Sequence, residues 1–473
     1  MRMRNINLTE GTIWKQILSF ALPLLVVNLL QQVYSVSDLI IVGNYGGIDA
    51  MAGIGASASL ISMIIGLAVG LATGVSIITV QVNSSEDYDS LYKVVHTGYA
   101  LAFATGIVLS LLGIFLAPAM LRLMGTPADI LPYAIQYLRI YFISAVPVVI
   151  YNIGAGILRG VGDMRHPFLF LSIGILLNIG LDILFIGVFD WGVAGAAWAY
   201  VIAQLVTALL VTYSLARSMT PFRLFLRDIS FHRGILSRTL KVGIPAGMQA
   251  FIVALSNVFI QTAINKFGKN AVAGFSAATR SDSFVFVLIS GLAVAVMTFT
   301  GANIGARKVG RVKRGLRQSL VLAFVLVAAL SGLIILLRRP IAAAFNPDPD
   351  VSAYTVRIML FLLSMYWIFA LTEVMGGAIR GMGNSLFPMV ISLICMAGVR
   401  LLWILVVLPV WNSLDVVILA YPISWAASLI AYLIYIKVKG GIVPKKLLDE
   451  IRREAEEMEM YQQKPKGEDT AIS

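Results

Sequence analysis

The amino-acid sequence predicts an all-α integral membrane protein of twelve transmembrane helices in two similar six-helix halves. Three observations lead to this prediction: the composition, the number of long apolar stretches and an internal repeat. Of the 473 residues, 59% are hydrophobic and 13% are charged, and the mean hydropathy is +0.88. Soluble proteins carry about 25% charged residues, so lipid is the solvent for most of this chain.

Twelve stretches are long and apolar enough to be membrane spans, because a helix needs about 20 mostly apolar residues to cross the hydrocarbon core. They lie near residues 14–42, 52–80, 94–117, 131–156, 168–189, 194–216, 242–265, 272–300, 318–337, 352–377, 388–410 and 416–437. The first stretch is too long for a signal peptide and has no small-residue cleavage site, so it is interpreted as a span.

The basic residues predict the orientation of these spans. An even number of spans puts both termini on one side, and Lys and Arg accumulate in cytoplasmic loops. With cytoplasmic termini, 27 of the 36 Lys and Arg residues fall in cytoplasmic segments and five in the opposite loops. We therefore expect a multi-pass protein of the cell membrane with both termini cytoplasmic. The net charge of +12 then reflects topology, and no nucleic-acid partner is expected.

An internal repeat with an offset of about 221 residues relates the two halves. Residues 156–162 (GILRGVG), followed by Pro167, recur as residues 377–383 (GAIRGMG), followed by Pro388. Because six spans separate the copies, both halves have the same orientation, as in transporters with parallel repeats. The predicted units are a first lobe at 1–216, a basic cytoplasmic linker at 217–241, a second lobe at 242–437 and a charged cytoplasmic tail at 438–473.

Three glycines of the second span, Gly66, Gly70 and Gly74, follow one another at intervals of four residues. They therefore share one helix face, and small residues at this spacing let helix backbones approach closely. We expect these glycines to pack against another helix.

Polar residues inside membrane spans are costly in lipid, so they mark candidate functional sites. The first half contains the most distinctive group of them. Asp182 follows Asn178 by one helical turn, and Asp38 ends a polar stripe in the first span. A site containing Asp38, Asp182 and an amide such as Asn178 can hold a proton or bind Na⁺ through oxygen ligands. A purely structural polar cluster is the alternative. Further polar residues of the first-half spans are Asn28, Gln31, Tyr34, Ser35, Asn152, Tyr200 and Gln204.

The second half differs at the matching positions. Under the repeat, Asp38 and Asp182 fall on isoleucines, Asn178 falls on Arg400, and Asn152 falls on Glu373. Since Glu373 and Arg400 are an isolated acid and base, we expect them to form an ion pair. Further polar residues of the second-half spans are Gln249, Asn257, Arg280 and Asp282.

Signatures of other protein classes are missing from the sequence. No GxxxxGK[ST] motif for nucleotides occurs, and no GxSxG or HExxH signature lies in a span. The single Cys395 and three scattered histidines match no metal-ligand spacing. We therefore expect neither an enzyme nor a cofactor nor a structural metal. Any pumping must draw on an ion gradient or on the membrane potential.

These residues resemble the multidrug and toxic compound extrusion (MATE) family over roughly residues 10–437. The resemblance rests on Pro23 and Asp38 in the first span, the turn at 158–167, the pair at 178–182, and the 6+6 repeat. It implies a V-shaped pair of bundles with a central cleft. It also implies export of organic cations and other amphipathic compounds in exchange for H⁺ or Na⁺.

The resemblance also implies site residues. In the family branch that couples through the first lobe, the cation site would comprise Asp38, Asn178 and Asp182, with Asn152 nearby and Tyr200 replacing the usual threonine. Span seven has no acid, which favours this branch over the one that couples through the second lobe. Residues expected at the substrate cleft are Asn28, Gln31, Tyr34, Ser35, Gln204, Gln249, Asn257, Arg280 and Asp282.

The sequence therefore predicts a monomeric, cation-coupled exporter of small organic molecules, lipophilic cations above all, that works by alternating access within membrane lipid. A flippase for lipid-linked precursors is the alternative in the same superfamily. A channel is disfavoured, because the second half lacks a continuous polar lining.

Overall fold

The structure is a computed structural model that describes residues 8–41, 48–123, 126, 128–345, 348–441, 443 and 449. Side chains are described there except at 27, 31–41, 48–53, 55, 56, 58, 59, 63, 64 and 269. Regular structure in these ranges is helical throughout, as the apolar stretches predict.

The first half contains seven α-helices. They are α1 (Ile13–Ile41), α2 (Ile48–Ser84), α3 (Tyr88–Leu123), α4 (Leu131–Ile143), α5 (Ala145–Gly160), α6 (Arg165–Asp182) and α7 (Gly192–Ala216). A π-helical turn, Ile183–Val188, continues α6 towards α7.

The second half contains eight α-helices. They are α8 (Arg233–Asn265), α9 (Lys269–Gly305), α10 (Val309–Leu336), α11 (Arg338–Phe345), α12 (Pro349–Gly381), α13 (Leu386–Ile391), α14 (Arg400–Val407) and α15 (Leu414–Val438). A π-helical segment, Ser392–Val399, joins α13 to α14 within one span.

The bent pair α4 and α5 forms one span of the first half. Its axis turns by 47° at Ser144. Pro147 lies in the first turn of α5 and has no N–H, so the carbonyl of Ile143 loses its usual helical partner. With this pair as one span, the described helices provide twelve spans. The predicted twelve-helix fold is therefore confirmed.

The two halves meet where α2 packs against α8 and α1 packs against α9. A β-carbon added to Gly70 would lie 2.2 Å from the backbone nitrogen of Gly247, and one added to Gly74 would lie 2.5 Å from the carbonyl oxygen of Thr239. These helices therefore touch through their backbones, as the glycine spacing predicts.

Hydrogen bonds join the halves at the end that carries the N-terminal segment and the basic loops. Gln81 Nε2 at the end of α2 donates to the Gly381 carbonyl at 2.9 Å. Arg311 donates to the Gly11 carbonyl and to Gln16 Oε1, both at 2.9 Å. Asn303 Nδ2 donates to the Leu8 carbonyl at 3.0 Å. Long side chains of one half thus bind backbone of the other.

The segment expected as a linker is partly helical, because α8 begins at Arg233. The part before α8 is held against α3: His96 Nε2 accepts from the Phe225 backbone, and Thr97 Oγ1 accepts from the His232 backbone, both at 3.1 Å. Most of the predicted tail at 438–473 lies outside the described residues.

A methyl group at the α2–α8 contact should destabilise the protein. In Gly70→Ala, the overlap with Gly247 should lower the free energy of unfolding by about 1–3 kcal/mol. Gly332→Ala in α10 is the matched control, because its β-carbon would meet no described atom within 4 Å. The control should be neutral or gain up to about 1 kcal/mol from helix propensity. Thermal unfolding in detergent measures both, and equal stability of the two variants would refute the backbone contact.

Candidate functional site

The first lobe holds a buried acid and amide on α6. Asn178 and Asp182 lie four residues apart and are 2% and 0% exposed. Neither the oxygen nor the nitrogen of the Asn178 amide has a hydrogen-bond partner among the described residues. A buried amide without partners is costly, so such a group marks a place for water or an ion.

The π-helical turn Ile183–Val188 begins directly after Asp182. Single π-turns inside α-helices are rare and occur frequently at functional sites. Here the turn contacts α1 and α7. It therefore joins the buried carboxyl to the neighbouring helices.

Four residues predicted for the site lie in α1 from position 31 onwards. They are Gln31, Tyr34, Ser35 and Asp38, and their side chains are outside the described residues. The backbone of α1 packs along α6 and the π-turn, which puts the helix that carries Asp38 beside the helix that carries Asp182. Asn28, earlier in α1, is half-buried.

Tyr200 of α7 stacks on Tyr141 of α4, with ring centroids 4.5 Å apart. The Tyr141 hydroxyl donates to the Tyr200 hydroxyl at 3.0 Å. The phenol of Tyr200, which the resemblance predicts in place of a threonine, is thus held in an aromatic pair. This pair lies in an apolar cluster that includes Ile186 of the π-turn.

Two further first-lobe residues are less directly placed at this site. The Asn152 amide donates to the Val148 carbonyl at 2.8 Å, one turn back in α5. Its donor is therefore bonded to its own helix. Gln204 of α7 is half-buried, one turn after Tyr200.

The second lobe holds a buried arginine at the position that matches Asn178. Arg400 is 3% exposed. Its guanidinium donates to Ser424 Oγ at 3.2 Å, Ser256 Oγ at 3.2 Å and Asn257 Oδ1 at 3.1 Å. It also lies 4.5 Å from the centre of the Tyr421 ring. Hydroxyls, an amide and an aromatic face thus satisfy the guanidinium.

Asp282 of α9 is the buried carboxyl of the second lobe. It is 8% exposed and accepts a hydrogen bond of 2.7 Å from the Tyr366 hydroxyl of α12. The Trp425 ring lies 5.1 Å from the Tyr366 ring and 5.8 Å from the Tyr421 ring, between centroids. Aromatic rings therefore connect the carboxyl to the arginine. Arg280, predicted beside Asp282 at the cleft, is exposed.

The predicted ion pair between Glu373 and Arg400 is corrected by the structure. Glu373 Oε2 lies 3.6 Å from Nη2 of Arg380. The two residues are seven positions apart in α12, which is two helical turns, and side chains tilt towards the helix N-terminus. The longer Arg380 side chain therefore reaches back to Glu373. Arg380 also donates to Gln249 Oε1 at 2.8 Å. The side chain of Gln249, which was predicted at the cleft, is therefore hydrogen-bonded within the second lobe.

The sequence analysis did not identify Tyr366, Tyr421 or Arg380 as functional candidates. Two signals were available. Tyr421 matches Tyr200 at the repeat offset of 221, and Glu373 and Arg380 share one face of a helix. Tyr366 has no such signal, because its contact with Asp282 joins two helices that are distant in sequence.

A double-mutant cycle should assign the partner of Glu373. The single changes Glu373→Gln and Arg380→Gln should each lower the free energy of unfolding, because each leaves a mostly buried charge unpaired. The double variant should recover about 1–3 kcal/mol relative to additivity. In the parallel cycle of Glu373→Gln with Arg400→Gln, the changes should add within about 0.5 kcal/mol. A larger coupling energy in the second cycle would instead support the pairing of Glu373 with Arg400.

Comparison with known proteins agrees with this architecture. A model of the family described as MatE matches residues 23–184 and 245–405, which together make up more than half of the chain. The probable multidrug resistance protein YoeA of Bacillus subtilis (strain 168) is 29% identical over 431 residues, covering 89% of this chain and 93% of the relative.

Two solved structures have the same fold. A crystal structure of MATE in the bent conformation has a TM-score of 0.86 at 24% identity, covering 95% of this chain and 99% of that chain. An outward-facing multidrug resistance MATE family transporter of the MOP superfamily has a TM-score of 0.84 at 26% identity. The match covers 91% of this chain and 96% of that chain. The two segments matched by the family model fall one in each half, as the repeat predicts, and the chain belongs to the MatE family.

Proposed function

We propose that this chain is a multidrug exporter that expels amphipathic and cationic organic molecules in exchange for H⁺ or Na⁺. As a member of the MatE family, the chain is a multi-pass membrane transporter and not an enzyme. The name of the Bacillus subtilis relative supports multidrug efflux. The coupling and the route below are our proposals for this chain.

The observation that carries the coupling proposal is the buried pair Asn178 and Asp182. A carboxyl without exposure inside a span is costly when charged, so it favours bound H⁺ or Na⁺. The unpartnered amide of Asn178 adds an oxygen ligand on the same helix face. Asp38, on the adjacent α1, is the proposed third ligand. Oxygen ligands of this kind suit Na⁺ as well as a proton, so the ion is left to experiment.

The second lobe is proposed to take no coupling ion. Its position equivalent to Asn178 carries the permanent positive charge of Arg400, which repels a cation. Arg400 is held by three neutral hydrogen-bond acceptors and a tyrosine ring. We assign it a structural role within the lobe. Exposed polar residues of the second lobe are proposed to contact substrate, among them Arg280 and Asn257.

Transport is proposed to proceed by alternating access. The described contacts between the lobes include the glycine contact of α2 with α8 and the bonds of Gln81 and Arg311 near the basic loops. With cytoplasmic termini, as we propose, this packing closes the cytoplasmic side and corresponds to an outward-facing state. Cation uptake at Asp182 would release substrate outwards, and separation of these contacts would then open the cytoplasmic side.

Removing the first-lobe carboxyl should abolish coupled transport. We expect purified protein in proteoliposomes to export a fluorescent lipophilic cation when either a proton or a sodium gradient is imposed. Asp182→Asn and Asp38→Asn should reduce the gradient-driven rate at least about tenfold. A neutral amide can neither take up and release a proton nor balance the charge of Na⁺.

The matched control is Asp282→Asn, which neutralises the buried carboxyl of the second lobe. It should keep gradient-driven transport within about twofold of wild type. If Asp182→Asn transports as well as wild type, or if Asp282→Asn alone loses coupling, the assignment to the first lobe is wrong. If no organic cation moves under either gradient, the flippase alternative becomes the better hypothesis.

A disulfide between the lobes should arrest transport. A β-carbon on Gly66 would lie 3.5 Å from Ala250 Cβ, which is within the range of Cβ–Cβ distances in disulfides. In a Cys395→Ser background, Gly66→Cys with Ala250→Cys should crosslink under mild oxidation and lose transport, and a reductant should restore it. Each single cysteine variant is the control. Unchanged transport by fully crosslinked protein would contradict separation of the lobes at this contact.

A further inference from the structure

A groove of about 860 Å³ lies beside the first turns of α8. The α8 residues that line it are Arg233, Leu236, Ser237, Leu240, Lys241, Ile244 and Pro245. The turn residues 383–385 and Leu386 of α13 complete the lining. The groove is distinct from both buried polar sites described above.

The α8 wall carries two parallel stripes. Arg233, Ser237 and Lys241 follow one another at intervals of four residues, so they form a polar stripe along one helix face. Leu236, Leu240 and Ile244 have the same spacing and form an apolar stripe beside it. A ligand that fills the groove therefore meets cationic groups on one side and hydrocarbon along its length.

The position along α8 places these stripes at the membrane interface. The helix has 33 residues, about 50 Å at 1.5 Å per residue, whereas the hydrocarbon core is about 30 Å thick. Its first turns therefore extend into the headgroup layer. The deeper groove residues Ile244 and Leu386 are 52% and 57% exposed, so the groove opens towards lipid.

The polar groups of the groove lack anionic partners within the described chain. No ion pair of Arg233 or Lys241 is found there. Arg233 and Lys241 are both exposed. A phosphate group matches these cations, since it is anionic and its oxygens accept hydrogen bonds.

We propose that this groove binds an anionic phospholipid of the leaflet on the side of the basic loops. Its phosphate lies between Arg233 and Lys241, and one acyl chain lies along Leu236, Leu240 and Ile244. The combination of unpaired cations, a continuous apolar stripe and an opening to lipid fits a phospholipid. Free phosphate would use only the polar stripe.

Lipid retention by the purified full-length protein tests this proposal. Native mass spectrometry of protein mixed with equal amounts of dioleoyl phosphatidylglycerol and dioleoyl phosphatidylcholine should show at least about a fivefold preference for the anionic lipid. Removing one basic residue near the membrane weakens anionic-lipid binding by roughly fivefold. Arg233→Gln with Lys241→Gln should therefore reduce the preference to nearly one.

The control variant is Arg238→Gln, which removes one positive charge from the same turns of α8 at a position that does not line the groove. It should keep the preference of wild type. A second variant, Leu240→Trp, fills the apolar stripe and should reduce retention of both lipids. Inorganic phosphate should not displace the bound lipid at equal concentration.

The proposal is wrong if the double glutamine variant keeps the wild-type preference. It is equally wrong if Arg238→Gln loses as much preference as that double variant, because general surface charge would then explain the binding. Displacement by equimolar inorganic phosphate would reduce the site to a phosphate site without a lipid role.

Discussion

The approach of α2 to α8 through glycine backbones is the contact on which the arrangement of the two lobes depends. Between membrane helices, close packing replaces the hydrophobic effect, because lipid tails are as apolar as leucine. Gly70 and Gly74 remove the side chains that would hold these helices apart. The lobes therefore pack closely along α2 and α8, and Gln81 and Arg311 reach from one lobe to backbone carbonyls of the other.

A buried polar group lies inside each bundle at matching positions of the repeat, and the two groups differ in charge. Asn178 with Asp182 occupies the first lobe, and Arg400 occupies the matching place in the second. Both lobes have a tyrosine at the matching position of the repeat. Tyr200 stacks on Tyr141 in the first lobe, whereas Tyr421 covers the Arg400 guanidinium in the second. A duplicated framework thus holds an acid in one copy and a base in the other. This difference is the physical basis of our proposal that cation exchange takes place in the first lobe.

The two π-helical segments bear on the same polar residues. One begins directly after Asp182, and the other ends directly before Arg400. A π-turn widens the helix and shifts the side chains that follow it around the helix axis. The second segment therefore affects the direction of Arg400, whereas Asp182 precedes the first segment. The segments occupy different places in the repeat, which helps to explain why the repeat offset did not predict side-chain contacts in the second lobe.

The sequence by itself determined the number of spans, their division into two halves, the packing role of the α2 glycines and the family. These properties follow from hydropathy, spacing and repetition along the chain. The thickness of the lipid core determines which stretches span it, and the helical period determines which residues share a face. Only the tertiary structure decided which polar groups meet. Glu373 pairs with Arg380 because both lie on one face of α12, and Asp282 meets Tyr366 because α9 and α12 pack together. Side-chain direction and helix neighbours set these contacts, and neither is contained in the position of a residue along the repeat.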